Sequence, residues 1–271
     1  PAMEQLYVFG TGNAAVTRCY NTCFALKNSR EQFFMVDAGG GNGILRILED
    51  MDVDLRRIHH IFITHEHTDH LLGIVWLVRV IAALMKNGQY EGDLNIYCHD
   101  GLPDAVTTIC RLALQGKFFR MIGDRIHLIP VHDGETAPIL DYPVTFFDIH
   151  STKARQYGFT TVLESGQRFT CCGDEPFQPD CMDYVKGSHW LTHEAFCLYS
   201  QREIFKPYEK HHSTVKDACE LGESLGIRNL ILWHTEDKNI KKRQELYLAE
   251  GKPYFSGRLY VPEDRTIIDL T

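Results

Sequence analysis

The sequence predicts an α/β protein, because short apolar strands alternate along the chain with longer helices. The clearest strand is the β-branched and aromatic run at residues 58–64, and the clearest helix covers residues 71–86, ending at Asn87-Gly88. Side chains that can bind metals follow several strands, where a sheet presents residues along one edge. The length of 271 residues leaves one large domain or two small ones open. We expect one α/β domain over residues 1–271, with a site at the strand ends.

The other elements are shorter and bounded by turn residues. The predicted strands cover residues 6–9, 23–26, 33–37, 94–98, 125–129, 144–149 and 229–233, and the predicted helices cover residues 44–51, 101–114 and 215–225. Ser213 or Thr214 can be the N-cap residue of the last helix, and Asp217, three residues after Thr214, has the spacing of a capping box.

Composition and charge limit the functions and the cellular location that we expect. A net charge of −8 argues against broad, sequence-independent binding to nucleic acid. The nine cysteines include no C-x-x-C pair, and no signal peptide is recognised, so we expect reduced thiols and a cytoplasmic location. The longest apolar run, residues 71–78, is much shorter than the roughly 20 residues that cross a bilayer, so no membrane segment is predicted. Pro1 and Ala2 are interpreted as a remnant of cloning.

A dense group of ligand-type side chains follows the strand at residues 58–64. His65, His67, Asp69 and His70 lie within six positions. Alternate residues of an extended segment point the same way, so His65 and His67 can bind one ion, while Asp69 and His70 can reach a second. Imidazole and carboxylate suit zinc, and also manganese or iron. The alternative is a histidine group that only caps the next helix.

Three further candidates follow other strands: His150, Asp174 and His234. Each is weak alone, and together with the first group they complete the ligands for two ions. Asp37, at the end of the strand at residues 33–37, either orients a ligand histidine or simply forms a turn before three glycines. His59, His60, His99, His127 and His132 are interpreted as surface or structural histidines.

The order H-x-H-x-D-H, His, Asp, His resembles the metallo-β-lactamase superfamily in its hydrolase form, with His67 at the second ligand position. The resemblance implies a four-layered αβ/βα sandwich, with two mixed sheets face to face and helices outside. It also implies the ligand sets: His65, His67 and His150 bind one ion, Asp69, His70 and His234 bind the other, and Asp174 bridges the pair.

Two triplets, His193-Glu194-Ala195 and His212-Ser213-Thr214, are similar to those of the ribonuclease Z branch. That resemblance implies that His212 protonates the leaving oxygen and that Glu194 holds His212; we count both, with Asp69, as catalytic residues. The local alternatives are an exposed histidine at a helix start and a plain salt bridge.

The chain departs from that branch in its substrate-binding features. His150 and Asp174 are only 24 positions apart, which leaves room for two strands and a turn but not for the long insertion that grips tRNA. Phe196 stands where the branch usually has threonine after the first triplet. We therefore expect a small anionic ester or an RNA end as the substrate.

The sequence leaves three functions open. The first is a metal-dependent phosphodiesterase, the second is a lactone or thioester hydrolase, and the third is a metal-containing binding or regulatory protein with weak activity. The resemblance also implies a homodimer. The basic stretches at residues 202–212 and 238–243 are either phosphate contacts or solvated surfaces.

Overall fold

The computed structural model describes residues 3–271, which form two compact units, each built on a seven-stranded sheet. Pro1 and Ala2, interpreted above as a cloning remnant, lie outside the described residues. The first unit comprises residues 3–10, 21–132 and 265–271, and the second comprises residues 11–20 and 133–264. The predicted α/β class is confirmed, while a single domain over residues 1–271 stays a prediction.

The first unit contains strands β1 to β6, the last strand β14 and helices α1 to α4. The strands are β1 (Gln5–Gly10), β2 (Cys23–Lys27), β3 (Phe33–Val36), β4 (Ile58–Phe62), β5 (Leu94–His99), β6 (Ile126–Val131) and β14 (Thr266–Asp269). The helices are α1 (Gly43–Asp50), α2 (Thr68–Lys86), α3 (Pro103–Ala113) and α4 (Gly116–Phe119), with a 3₁₀ turn at Leu55–Arg57.

The sheet of this unit has the order β14-β1-β2-β3-β4-β5-β6. Strands β14 to β3 pair antiparallel, and β3 to β6 pair parallel, which requires helical crossovers between successive strands. The carboxyl ends of β3 and β4 therefore meet at one edge of the sheet. Asp37 follows β3 and His65 follows β4, so the topology brings both to that edge.

Helix α2 packs closely against the segment that follows β3. The Ala38 main-chain N–H donates to the His70 carbonyl at 3.3 Å, and that of Gly73 donates to the Gly39 carbonyl at 2.9 Å. A Cβ on Gly73 would lie 2.0 Å from the Ala38 carbonyl oxygen, so only glycine permits this approach. By length and composition α2 could cross a membrane, and 56% of its most apolar window is buried within this structure. The absence of a membrane segment stays a prediction.

The second unit contains strands β7 to β13 and helices α5 to α8. The strands are β7 (Thr136–Ile139), β8 (Tyr142–Asp148), β9 (Tyr157–Val162), β10 (Arg168–Cys171), β11 (Trp190–Glu194), β12 (Asn229–Trp233) and β13 (Arg258–Tyr260). The helices are α5 (Met182–Val185), α6 (Arg202–Phe205), α7 (Val215–Ser224) and α8 (Arg243–Gly251), with 3₁₀ turns at Pro179–Cys181, Tyr199–Gln201, Tyr208–Lys210 and Lys252–Tyr254.

The second sheet has the order β13-β12-β11-β10-β9-β8-β7. Strands β10 to β13 are parallel, and β7 to β10 are antiparallel, so β8 runs in the same direction as β10. The carboxyl ends of β8, β10, β11 and β12 therefore lie at one edge. Beneath it, Phe147, Leu191 and Leu230 join a buried apolar cluster that also receives Val215 of α7.

Candidate metal centre

The first group of candidate ligands surrounds the start of helix α2. His67 is the N-cap residue of α2 in an extended conformation, and Asp69 and His70 occupy the first turn. The His67 side chain makes no capping hydrogen bond, so capping does not account for this histidine.

The side chains of this group converge. The His65 ring lies 4.6 Å from the His67 ring and 4.2 Å from the His70 ring, measured between centroids. His70 Nε2 is 3.2 Å from Asp69 Oδ2, and the ligand atoms of His65 and His67 lie within 4.8 Å of each other. His65, Asp69 and His70 are buried. This cluster of nitrogen and oxygen donors is suited to a divalent metal ion.

Asp37 anchors two of the histidines from behind. Its Oδ2 accepts the Thr64 hydroxyl at 2.8 Å and pairs with His70 Nδ1 at 2.7 Å, while Oδ1 accepts the Thr64 main-chain N–H at 2.8 Å. Since the Thr64 hydroxyl donates to Asp37, its oxygen accepts from His65 Nδ1, 2.9 Å away. Both rings thus carry their proton on Nδ1 and direct Nε2 forward, as metal-binding histidines do. These contacts favour the orienting role of Asp37 over the turn role.

The second group lies at the carboxyl edge of the second sheet. His150 follows β8, Asp174 follows β10 and His234 follows β12, so the predicted position of these three residues just past strand ends is confirmed. Glu194 ends β11, a strand that the sequence did not predict. His150 and His234 have backbone φ angles of 59° and 60°, a left-handed conformation uncommon outside glycine. Such strained positions cluster at functional sites.

Asp174 is held by Gln156, a residue that the sequence did not single out. Gln156 Nε2 donates to Asp174 Oδ1 at 2.7 Å, and the Asp174 main-chain N–H donates to Gln156 Oε1 at 3.0 Å. Gly173, at φ 76°, permits this arrangement, because a Cβ there would lie 2.0 Å from Gln156 Oε1. The other carboxylate oxygen of Asp174 lies 3.6 Å from His234 Nε2.

His150 is placed differently from these two. Its side chain is 46% exposed, and Nε2 lies 3.9 Å from Asp180 Oδ2. The structure thus pairs Asp174 with His234 but gives His150 a more open position.

His212 faces the buried carboxylate of Glu194. His212 Nδ1 lies 3.3 Å from Glu194 Oε2, and the other oxygen of Glu194 accepts the Ser213 main-chain N–H at 2.6 Å. Glu194 is fully buried and the His212 side chain is 11% exposed. The His212 ring lies 5.7 Å from the His234 ring and packs edge-on against Phe196 at 5.1 Å. The His212 ring thus has Nδ1 toward Glu194 and Nε2 away from it, and neither Nδ1 nor Glu194 Oε2 has a hydrogen-bond partner within residues 3–271.

The predicted capping box forms at the start of α7, directly after His212 and Ser213. Thr214 is the N-cap residue, its hydroxyl accepts the Asp217 main-chain N–H, and Asp217 accepts the Thr214 N–H in return. His212 itself lines a cavity of about 220 Å³ whose other walls, apart from Pro176, are polar or aromatic: Thr152, Glu175, Gln178, Tyr208 and His211. His212 thus faces a space that can hold a polar group.

Three of the remaining histidines and one nearby cysteine have surroundings that suit a structural role. His59 Nδ1 contacts the Asp93 carbonyl at 3.1 Å, His127 Nε2 contacts the Asp93 carboxylate at 2.8 Å, and burial lowers the pKa of His60 to about 4. Burial raises the pKa of the Cys172 thiol, two positions before Asp174, well above its usual range.

Comparison with known proteins confirms the predicted fold and the resemblance to the metallo-β-lactamase superfamily and its ribonuclease Z branch. Ribonuclease Z from Bacteroides thetaiotaomicron is 23% identical over 275 aligned residues, covering 85% of this chain and 84% of that protein. The metallo-β-lactamase fold protein YhfI from Bacillus subtilis superposes with a TM-score of 0.78 at 15% identity, covering 98% of both chains. The short form of human tRNase Z gives 0.72 at 19% identity, covering 98% of this chain and 99% of that one. The fold is therefore the metallo-β-lactamase α/β sandwich.

A family model places the chain more narrowly within this fold. The model described as anti-Pycsar protein Apyc1 matches residues 4–250, which include every candidate ligand, Glu194 and His212. Since this match spans most of the sequence, the chain belongs to the anti-Pycsar protein Apyc1 family.

Proposed function

We propose that this chain is a metal-dependent phosphodiesterase acting on a small or single-stranded phosphate ester. The observation that carries the proposal is the His212–Glu194 pair, in which His212 lies beside His234 and lines a cavity while Glu194 is buried behind it. A general acid held in this way serves a reaction whose leaving group is a poor one, as in a phosphodiester. The ribonuclease Z name of a relative that aligns with 85% of this chain supports the same class of reaction.

The proposed metal ligands follow the superfamily order. One ion would be held by His65, His67 and His150, the other by Asp69, His70 and His234, with Asp174 shared between them. Zinc suits this set of imidazoles and carboxylates best, with manganese or iron as alternatives. When bound, such ions lower the pKa of water from 15.7 to roughly 7 and neutralise phosphate oxygens.

The chain's own residues supply orientation and the proton. Asp37 and Thr64 fix His65 and His70 from behind, and Gln156 fixes Asp174. His212 donates the proton on Nε2 to the departing oxygen, while Glu194 keeps the ring positioned and balances its charge. General acids of this kind contribute about 10²–10⁴-fold to the rate.

The substrate is proposed to be small or single-stranded. The interval between His150 and Asp174 is filled by strands β9 and β10 and their turn, which leaves no tRNA-gripping insertion there. The cavity of about 220 Å³ beside His212 suits a compact leaving group.

The proposal treats residues 1–271 as one domain, since the family model covers segments of both units. It also includes a cytoplasmic location and a homodimer.

The test is hydrolysis of bis-p-nitrophenyl phosphate, a lactone and an acyl thioester by zinc- and manganese-loaded protein. Turnover of the phosphodiester that is lost in Asp174→Ala and retained in His132→Ala, an exposed control histidine, supports the proposal. Turnover confined to the lactone or thioester would assign the second function. Weak turnover of every ester, together with tight binding of one, would assign the third.

A further inference from the structure

The second unit has another cavity, lined by cations. It measures about 390 Å³ and is lined by Arg18, Lys238, Lys241 and Lys242, with Ile240 and Leu246 among the remaining walls. None of these residues lines the cavity beside His212. We propose that this cationic cavity, defined by these six residues, is a second binding site that takes a phosphate-bearing ligand of nucleotide size.

The first support is unbalanced charge. The chain as a whole carries −8, yet four cationic side chains meet at this one cavity. Within residues 3–271, Lys238, Lys241 and Lys242 form no ion pair with a carboxylate. Arg18 Nη1 donates to a main-chain carbonyl, that of Asp237, at 3.4 Å. The Asp237 carboxylate interacts electrostatically with Arg18 and Lys238 and offsets one of the four positive charges, which leaves an excess of three. Like charges held together repel one another, and an anion between them removes that repulsion.

The second support is that hydrogen bonds hold the backbone around the cavity in place before any ligand binds. Buried Asp237 accepts the main-chain N–H groups of Thr17 and Arg18 at 2.8 and 2.9 Å, which ties that segment to residue 237. On the other side, the main-chain N–H of Asn239 donates to Glu236 Oε1 at 2.9 Å, and its side-chain amide donates to Gln201 Oε1 at 2.8 Å. A site whose backbone is already ordered loses less entropy when a ligand binds.

The third support is a lysine at the N-cap position of a helix, where a cation destabilises the helix. Lys242 is the N-cap residue of α8 and makes no side-chain capping hydrogen bond. Helix N-termini prefer Ser, Thr, Asp or Asn, and their partial positive charge disfavours a cation. The same helix end attracts phosphate. Lys242 thus adds positive charge at a position where it lowers helix stability. Residues that lower local stability in this way are expected at functional sites.

The size and lining of the cavity define the class of ligand. Phosphate is the anion that several converging cations bind best, and Ile240 and Leu246 offer apolar contact to a larger body. A volume of about 390 Å³ lies within the range of small-molecule sites, roughly 300–1,000 Å³. A nucleotide combines both properties. It can arrive as a free mononucleotide or as one unit of a single strand, and both present the same chemistry.

The test is lysine footprinting of the full chain by mass spectrometry, which reads binding at each lysine without measuring activity. Adenosine 5′-monophosphate and a phosphorothioate-linked trinucleotide serve as probes, with uncharged adenosine as the control ligand. We expect acetylation of Lys238, Lys241 and Lys242 to slow at least fivefold, while exposed Lys86 and Lys117 keep their rates. Protection by the mononucleotide identifies a free nucleotide as ligand, and protection by the trinucleotide alone identifies a single strand.

Variants with matched charge changes complete the test. We expect K241E/K242E to raise the Kd of the protecting probe at least tenfold and K86E/K117E to leave it within twofold. The proposal is overturned if neither probe protects the three lysines at millimolar concentration, or if both double variants weaken binding equally. An equal loss of binding in His212→Ala would place the ligand at the other cavity and would also overturn it. Because the site uses neither the metals nor His212, its failure leaves the proposed phosphodiesterase intact.

Discussion

Replacing Thr64 by valine removes one buried hydroxyl and is expected to weaken both the fold and metal binding. The hydroxyl donates to the Asp37 carboxylate at 2.8 Å and accepts from His65 Nδ1 at 2.9 Å. A hydrogen bond to a charged group contributes about 1.5–3 kcal/mol, and a buried donor left unpaired costs about 1–3 kcal/mol. Since valine has nearly the same shape, we expect the free energy of unfolding to fall by about 2.5 kcal/mol, the sum of the two lower limits.

Thr192 provides the matched control. It is fully buried in β11, and its hydroxyl has no hydrogen-bond partner within residues 3–271. The same change, Thr192→Val, therefore removes an unsatisfied polar group, so it should leave stability unchanged or raise it by about 1 kcal/mol.

The assay is urea unfolding of both variants after metal removal with EDTA, read as the midpoint at constant m-value. Zinc affinity is then measured by competition with a chromophoric chelator, and we expect Thr64→Val to lower it by roughly 10–100-fold. If Thr64→Val loses under 0.5 kcal/mol, or binds zinc like the unaltered chain, the role assigned to the Asp37–Thr64–His65 contacts is refuted.

Three further changes have defined outcomes. Glu194→Gln should slow hydrolysis of esters with poor leaving groups by about tenfold or more, because His212 loses its counter-charge, and steady-state kinetics checks this. Gly173→Ala should lower the urea midpoint and zinc affinity together, since the new Cβ collides with Gln156. Burial lowers the pKa of His60 to about 4, so the unfolded chain binds the proton more readily and stability falls as pH drops from about 6.5 to 4. His60→Phe should flatten that part of the urea midpoint–pH curve.

The strands that carry the candidate ligands were predictable from the sequence, and several others were not. The runs before His65 and His234 form β4 and β12. Strand β12 is buried along its whole length, and β4 is buried except at half-buried His59 and His60. The sequence analysis missed β7, β11, β13 and β14. Three of these are edge strands of only three or four residues, partly exposed, and β7 contains Pro138, which edges tolerate. Such strands are fixed by tertiary pairing and carry little periodicity of their own.

The candidate ligands were recognisable by spacing, whereas the residues that orient them were not. Gln156 lies 18 positions from Asp174, and Thr64 lies 27 positions from Asp37. A single glutamine or threonine has no pattern that distinguishes it, and only the sheet brings it to its partner. The strongest hint in the sequence was Gly173 directly before Asp174, because a conformation that needs glycine often marks a close approach.

The cationic cavity shows the same limit. Lys238, Lys241 and Lys242 were visible as a basic stretch, which by itself is as consistent with a solvated helix face. Arg18 lies over 200 positions earlier in the chain and is joined to them through Asp237. Only the folded chain brings Arg18 and the three lysines together around one cavity.

The most direct test of the proposed chemistry is the dependence of turnover on the leaving group in His212→Ala. Zinc-loaded wild type and variant are compared on a series of phosphodiesters running from p-nitrophenyl to simple alkyl leaving groups. We predict that the variant stays within about tenfold of wild type on p-nitrophenyl esters and loses about 10²–10⁴-fold on alkyl esters, where a proton is needed. An equal loss across the series, or none on either class, would contradict the role of His212 as the general acid of a phosphodiesterase.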